Sequence, residues 1–186
     1  MDKIRTFIAV DLPQDAKMEV DKLTSTFRNE GRGIKWVNAE NLHITLRFLG
    51  DVREEVVPRL AETIKTNIYG FGRFDLSLSG LGGFPNLRMP RVIWVDTYVG
   101  KDRLRDLATG VEMACIESKL GRSDKRFTAH LTIGRVKNPS GIDNVLKKIQ
   151  GTRFETRPFN INAVTIFKSD LSPAGAKYTP LEIIRL

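Results

Sequence analysis

The chain is poor in several residue types, and each shortage excludes a class of protein. It has one cysteine, Cys115, in 186 residues, which rules out an internal disulfide framework and a multi-cysteine zinc site. We therefore expect a reducing compartment, the cytoplasm. No apolar run reaches the 18 residues that a membrane helix needs, so we expect no membrane partner. The chain also lacks a Pro/Ser-rich linker and any block of five basic residues, which excludes a disordered nucleic-acid-binding arm.

What is present is the composition of a basic globular domain. Hydrophobic residues make up 41% of the chain and charged residues 28%, which is enough for a sizeable core. Thirty Lys and Arg against 22 Asp and Glu give a net charge of +8. This excess favours an anionic partner, such as nucleic acid, a nucleotide or a phosphoester, bound in a basic groove. We expect a monomer.

Hydrophobic periodicity predicts an α+β fold. Helical spacing covers residues 14–30, 54–68, 101–120 and 141–150. Strand-like runs cover residues 6–11, 42–49, 74–81, 91–97, 130–136, 159–167 and 181–185. The order strand, helix, strand, helix, strand occurs twice at an offset of about 85–87 residues. The segment with Gly80, Gly82, Gly83 and Pro85 has the composition of a loop between the repeats.

This repeat predicts one domain, residues 1–186, with two lobes related by an approximate two-fold axis. The lobes correspond roughly to residues 1–83 and 84–186, and the C-terminal strands could cross between them. Each lobe is expected to hold an antiparallel-rich sheet with helices on its outer face, around a central cleft.

The chain contains only two histidines, and both begin the same four-residue pattern. One reads His43-Ile44-Thr45-Leu46 and the other His130-Leu131-Thr132-Ile133. Threonine is 14 of 186 residues, so both histidines would have Thr two places later with a chance of only about 0.006. The motifs lie 87 residues apart, which matches the offset of the lobes.

Strand geometry gives the pattern a chemical meaning. Side chains alternate between faces, so His43 and Thr45 share one face, as do His130 and Thr132. A two-fold relation between the lobes would bring both faces to one cleft. One imidazole can then donate a proton to a leaving oxygen while the other takes a proton from water. Threonine hydroxyls can donate hydrogen bonds to phosphate oxygens. The chemistry that this suits is metal-free, in-line attack at phosphorus.

Two less specific interpretations compete with this one. A single histidine on a strand is usually structural, but two with matched neighbours at matched positions are not typical of core packing. Two histidines without a nearby cysteine or acidic partner are too few for a zinc site. We therefore expect no metal and no cofactor.

Basic side chains near the motifs are candidates for phosphate binding. Arg47 continues the alternation from His43 and Thr45 and should face the cleft, where it could neutralise phosphate charge. Strict alternation places Arg135 on the face opposite His130, although a bulge at Gly134 could redirect it.

Aromatic side chains near the motifs are candidates for contacts with bases. Phe84 and Tyr178 are the two we expect to stack on nucleobases. Phe48 continues the alternation of the apolar residues Ile44 and Leu46, so we expect it to be a core residue.

The residues that carry these motifs resemble a known family. The sequence is similar to the two-histidine phosphoesterase superfamily and, within it, to the RNA 2′,3′-cyclic phosphodiesterase family, also called 2′-5′ RNA ligase. The resemblance covers nearly the whole chain, through residues 5–13, 36–37, 40–46, 48–50, 83–85, 127, 130–135, 168–169, 175 and 178–181. One departure is Ala129, where many relatives have proline before the second histidine.

The resemblance implies a specific activity. Relatives hydrolyse a terminal 2′,3′-cyclic phosphate on RNA to a 2′-phosphomonoester, and some reversibly join tRNA halves through a 2′-5′ linkage. By the family pattern, His43 would donate the proton to the 3′ oxygen and His130 would activate water. Thr45 and Thr132 would hold the phosphate oxygens, and a basic residue near the position of Arg135 commonly lies close to the phosphate. No metal or cofactor is implied.

Two other functions remain open at this point. The same fold could be a non-catalytic module that binds RNA or nucleotides. Alternatively, the same chemistry could act on small cyclic nucleotides or on 2′,5′-linked nucleotides. Histidine variants whose activity is unchanged from background and whose RNA affinity is retained would support the binding module. Comparison of RNA ends with mononucleotide 2′,3′-cyclic phosphates would test the second alternative.

Overall fold

The computed structural model describes residues 3–173 and 175–186. Its α-helices correspond to the segments whose apolar residues have helical spacing. Helix α1 follows Pro13 and buries Ala16, Val20, Leu23 and Phe27 along one face, as a 3.6-residue period requires. The α-helices in these residues are α1 (Gln14–Arg28), α2 (Val57–Asn67), α3 (Lys101–Glu117) and α4 (Asp143–Gly151). Short 3₁₀ turns occupy Ala39–Asn41 and Glu54–Val56.

The strands form antiparallel sheets, as the α+β prediction requires. In the described part of the chain they are β1 (Lys3–Asp11), β2 (Ile34–Trp36), β3 (His43–Arg53), β4 (Phe74–Leu76), β5 (Leu78–Phe84), β6 (Val92–Thr97), β7 (His130–Val136), β8 (Phe159–Ile161), β9 (Ala163–Ser172) and β10 (Gly175–Arg185). One sheet has the order β10-β9-β1-β3 and another β2-β7-β6-β5, while β4 pairs with β8. The predicted fold class is confirmed.

The sheets do not divide the chain at residues 83 and 84. Strands β9 and β10 come from the second half of the sequence but extend the first sheet beside β1. Strand β2 comes from the first half but pairs with β7 in the second sheet. The periodicity contained no sign of β2, because three residues are too few to show an alternation.

Two runs predicted as single strands are each divided. The run 74–81 becomes β4 and β5, and the run 159–167 becomes β8 and β9. The breaks have a common cause, since β4 and β8 pair with each other while β5 and β9 join different sheets.

The prediction of a loop at the glycines is wrong, because all three of them lie within β5. Gly82 is the register partner of Trp94 on β6. A Cβ atom on Gly82 would lie 2.2 Å from the indole ring, so the missing side chain makes room for the ring. Gly80 has a φ of 82° and lies in the irregular part of the β5–β6 pairing, where glycine adopts the positive φ without strain.

The core lies on the faces of the sheets that the helices cover. On the first sheet, Ile8, Val10 and Ile44 are fully buried, and on the second, Ile93 and Leu131 are. These side chains belong to one continuous apolar cluster together with the inner faces of the helices. The opposite faces of β3 and β7 carry the histidines. Among the residues described, no helix has both the length and the apolar character to cross a bilayer.

The space over Gly82 leads to a prediction about stability. Gly82→Ala should lower the free energy of unfolding by roughly 1–3 kcal/mol, because the new methyl group collides with the Trp94 ring and overpacks the sheet. Chemical denaturation measures the change. Gly151→Ala is the matched control, since a Cβ atom at that position would have no neighbouring atom within 4 Å, and it should leave stability unchanged or raise it by up to about 1 kcal/mol. Equal stabilities of the Gly82→Ala and wild-type proteins would contradict the predicted collision.

Candidate active site

The two histidine motifs lie at the start of β3 and β7, with their polar residues on the faces away from the core. His43, Thr45, His130 and Thr132 are all half-buried, whereas the apolar residues between them are buried. Strand β3 contacts β7 across the two sheets. The alternation expected from the sequence therefore brings both His–Thr pairs to the junction of the sheets.

Both imidazoles are held in the same way. The Nδ1–H of His43 donates to the carbonyl oxygen of Asn41 at 2.7 Å, and that of His130 donates to the carbonyl oxygen of Thr128 at 2.6 Å. In each case the acceptor lies two residues before the histidine. Because Nδ1 carries the hydrogen, Nε2 is the nitrogen left for chemistry. The Nε2 of His43 lies 3.0 Å from the hydroxyl oxygen of Thr45, which donates to it when the ring is neutral.

The environment disfavours a proton on either histidine. Burial lowers the pKa of His43 to about 4, and burial also lowers the pKa of His130 below its ordinary value. The positive charge of Arg135 adds to the lowering at both rings. The charge of one guanidinium, that of Arg135, therefore acts on both rings. Hydrogen bonds to the backbone carbonyls act in the opposite direction.

A β-bulge explains why Arg135 lies on the same face of β7 as His130. In the pairing of β6 with β7, Trp94 is opposite Thr132 and Ile93 is opposite Gly134, so Ile133 is an extra residue. One extra residue reverses the alternation. Arg135 consequently returns to the face of His130 and Thr132, whereas strict alternation would place it on the other face.

A corresponding bulge in β3 makes the prediction for Arg47 wrong. Ala9 is opposite Thr45 and Ile8 is opposite Arg47, so Leu46 is the extra residue. Arg47 therefore turns away from the cleft, and its side chain is only 8% exposed. It binds Glu112 of α3 at 3.3 Å and the carbonyl oxygen of Gly121 at 3.1 Å.

The same bulge makes the prediction for Phe48 wrong. Phe48 is 61% exposed and lies beside Phe7, with the ring centroids 6.0 Å apart. Phe7 also contacts His43, with centroids 4.8 Å apart. Sequence reasoning missed both phenylalanines as cleft residues, because the bulge that exposes Phe48 depends on pairing with β1 and leaves no mark in the alternation of β3.

The aromatic rings of Phe84 and Tyr178 each contact one of the two histidine rings. The Phe84 ring is edge-on to His130 at 5.0 Å and 89°. The Tyr178 ring is edge-on to His43 at 5.2 Å and 89°. Each histidine thus has an aromatic neighbour at nearly the same distance and angle. Both aromatic side chains are half-buried, so each is partly open to a bound molecule.

The arrangement suits proton transfer at a phosphate. It offers two imidazole Nε2 atoms, two threonine hydroxyls and one guanidinium near both rings. In residues 3–173 and 175–186, no group of three or more His, Cys, Asp or Glu is arranged to hold a metal ion.

Comparisons with known proteins agree with this chemistry. The family model described as LigT-like phosphoesterase matches residues 10–94 and 97–178. An RNA 2′,3′-cyclic phosphodiesterase of Methanothermobacter thermautotrophicus is 34% identical over 186 residues, covering 99% of this chain and 100% of that protein. An RNA 2′,3′-cyclic phosphodiesterase of Archaeoglobus fulgidus is 37% identical, covering 97% of this chain and 99% of that protein.

Solved structures show the same fold. A crystal structure of a Thermus thermophilus protein matches with a TM-score of 0.81 and 29% identity, covering 98% of each chain. E. coli LigT complexed with 3′-AMP matches with a TM-score of 0.76 and 25% identity, covering 99% of this chain and 98% of that one.

The buried position of Arg47 leads to a second prediction about stability. Arg47→Met should lower the free energy of unfolding by roughly 1–3 kcal/mol, because it leaves the partly buried Glu112 carboxylate without its cation. Chemical denaturation measures the loss. Arg53→Met removes an exposed partner of Glu55 and should change stability by less than about 1 kcal/mol. If both variants lost the same small amount, Arg47 would not be a structural cation.

Proposed function

Since the chain belongs to the family of LigT-like phosphoesterases, we propose that it hydrolyses the 2′,3′-cyclic phosphate at RNA ends to a 2′-phosphomonoester. It is a phosphoesterase, and the relatives named above are RNA 2′,3′-cyclic phosphodiesterases. The observation that carries the proposal is the matched pair of histidines, each with Nδ1 fixed by a backbone carbonyl and Nε2 left for proton transfer.

The proposed reaction needs one imidazole as acid and one as base. The base takes a proton from water as the water oxygen attacks phosphorus. The bond from phosphorus to the 3′ oxygen breaks, and the acid gives its proton to that oxygen. Thr45 and Thr132 donate hydrogen bonds to the non-bridging oxygens, and Arg135 balances their charge. No step of this scheme requires a metal ion.

The division of roles between the histidines depends on the substrate. The family resemblance assigns the donor to His43, yet burial lowers the pKa of His43 and disfavours a proton on it in the free site. A bound phosphate carries negative charge, which raises the pKa of a nearby imidazole. We propose that substrate binding supplies the charge that His43 needs in order to act as the donor.

The proposed substrate contacts extend beyond the phosphate. Phe84, Tyr178 and the exposed Phe48 offer aromatic surfaces on which bases can stack. The structural relative E. coli LigT forms a complex with 3′-AMP, which supports a nucleotide as part of the proposed substrate. tRNA halves are a proposed substrate, and attack on the cyclic phosphate by a 5′-hydroxyl in place of water would release the 3′ oxygen and form the 2′-5′ linkage reversibly.

We propose a monomer of one functional domain, because both histidines of the site come from one chain. The free thiol of Cys115 is buried, which suits the reducing conditions of the cytoplasm.

The direct test is hydrolysis of an RNA oligonucleotide that ends in a 2′,3′-cyclic phosphate, in EDTA. His43→Ala and His130→Ala should each lower kcat by roughly 100- to 10,000-fold, because each removes a proton-transfer group. The product is identified as the 2′- or 3′-phosphate by chromatography. Arg53→Met, at the far end of β3, is the control and should retain wild-type activity.

The outcomes distinguish the candidate functions. Folded wild-type protein that binds RNA without turnover would identify a binding module instead. Faster turnover of mononucleotide cyclic phosphates than of RNA ends would favour the small-molecule alternative. A nitrophenyl phosphodiester then separates the two roles, because its leaving group needs no proton. The variant that lacks the donor should regain activity on it, and the family assignment requires this to be His43→Ala.

The pH dependence of the reaction is a further prediction. Activity needs one histidine protonated and one neutral, and burial lowers the pKa of both, to about 4 for His43, so kcat/KM should reach its maximum at a pH below the ordinary histidine pKa of 6.5. The profile of kcat should lie at higher pH, because bound phosphate raises both pKa values. Steady-state kinetics across the acidic and neutral range measure both curves. A kcat/KM that still increases above neutral pH would contradict the predicted lowering of the two histidine pKa values.

A further inference from the structure

Two aspartates occupy equivalent positions opposite the two histidines. Asp11 is the last residue of β1 and is the register partner of His43 on β3. Asp96 lies near the end of β6 and is the register partner of His130 on β7. Side chains of directly opposite residues in an antiparallel pair lie on the same face, with Cβ atoms about 4.5–5.5 Å apart. Each imidazole therefore has a carboxylate as its cross-strand neighbour.

Both aspartates are held by the same two contacts. Oδ1 of Asp11 accepts from the Leu12 N–H at 2.9 Å and pairs with the Lys17 ammonium at 2.7 Å. Oδ1 of Asp96 accepts from the Thr97 N–H at 2.8 Å and pairs with the Lys101 ammonium at 2.8 Å.

In both halves the lysine lies in the first part of the helix that follows the strand. Lys17 belongs to α1 and Lys101 to α3. A carboxylate that accepts a hydrogen bond from an N–H and pairs with an ammonium group is fixed in place. Lys17 also donates to the carbonyl oxygen of Glu40 at 3.3 Å. Glu40 lies in the 3₁₀ turn whose last residue, Asn41, accepts the hydrogen bond from His43.

The charges around each histidine show what these carboxylates do. The charges of Asp11 on β1, Lys17 on α1 and Arg135 on β7 affect the pKa of His43. His130 is acted on by Arg135 from its own strand and Asp96 from β6. The aspartates raise the pKa of their histidines, while burial and the cations lower it. Each carboxylate is thus the anionic side chain that offsets Arg135 at its own ring.

We propose that Asp11 and Asp96 are paired positioning residues, each of which supplies a fixed negative charge that keeps the histidine opposite it able to accept a proton. This rests on the proposed function, in which each histidine carries the proton at one stage of the reaction. The aspartates act through the histidines and need not touch the substrate. Their lysines fix the direction of the carboxylates and moderate the charge.

The test is a titration of both histidines by NMR, which does not depend on activity. The chain has only two histidines, so His130→Ala and His43→Ala assign the two sets of ring signals. Asp11→Asn keeps an oxygen that can accept from the Leu12 N–H but removes the charge. It should lower the pKa of His43 by roughly half a unit to one unit and leave His130 unchanged. Asp96→Asn should do the converse.

A variant that should shift the pKa of His43 in the opposite direction makes the test sharper. Lys17→Met removes a cation that opposes protonation of His43, so it should raise the pKa of that ring. Asp21→Asn removes an ion pair of the same kind from α1, with Arg28 at 2.8 Å, and should move neither titration. Thermal melts confirm that each variant is folded at the titration temperature. Unchanged titrations in folded Asp11→Asn and Asp96→Asn, or equal shifts of both rings in either one, would overturn the proposal.

Kinetics separate this proposal from the function on which it rests. In an active enzyme, Asp11→Asn and Asp96→Asn should each move one limb of the kcat/KM profile to lower pH while KM changes less than about twofold. A purely structural role would reduce activity at all pH values without moving a limb, and that result would overturn the proposal. A wild-type protein without phosphodiesterase activity would refute the proposed function, whereas the NMR titration would still decide whether the aspartates act on the histidines.

Discussion

The burial of one face of β3 and β7 is the constraint on which the site depends. Ile44 and Leu131 are fully buried, and each directly follows a histidine. A strand that buries the second residue of such a pair must turn the first to its other face. The apolar core therefore orients both imidazoles, and the carbonyl two residues earlier then fixes which ring nitrogen is left for chemistry.

Single extra residues in the two strands decide what surrounds the histidines. The bulge at Ile133 brings Arg135 to the histidine face, and the bulge at Leu46 takes Arg47 away from it. The two halves are thus matched in their histidines and differ in their arginines. One guanidinium then acts on both rings, which suits a site for a single phosphate group. The other arginine is used for structure, where with Glu112 it anchors the segment that contains Gly121 and Ser123.

The electrostatic balance of the cleft follows from opposing contributions. Burial and Arg135 disfavour protonated imidazoles, while backbone carbonyls and the two cross-strand aspartates favour them. A phosphate ester adds negative charge to the same space. That added charge opposes the effect of burial and Arg135 and favours the protonated imidazole that phosphoester cleavage requires.

The sequence by itself determined the fold class and the candidate catalytic pair. Two histidines with the same neighbours at the offset of the repeat are local signals, and the apolar residues between them set the face of each ring. The recurrence of an aspartate at the end of an apolar strand before a lysine-bearing helix was also present in the sequence, although its meaning depends on the strand register. Only the tertiary structure decided the places of Arg47, Phe48 and Arg135, the strand β2 and the crossing of β9 and β10. Each of these depends on pairing between segments far apart in the chain, and a bulge exists only relative to a partner strand.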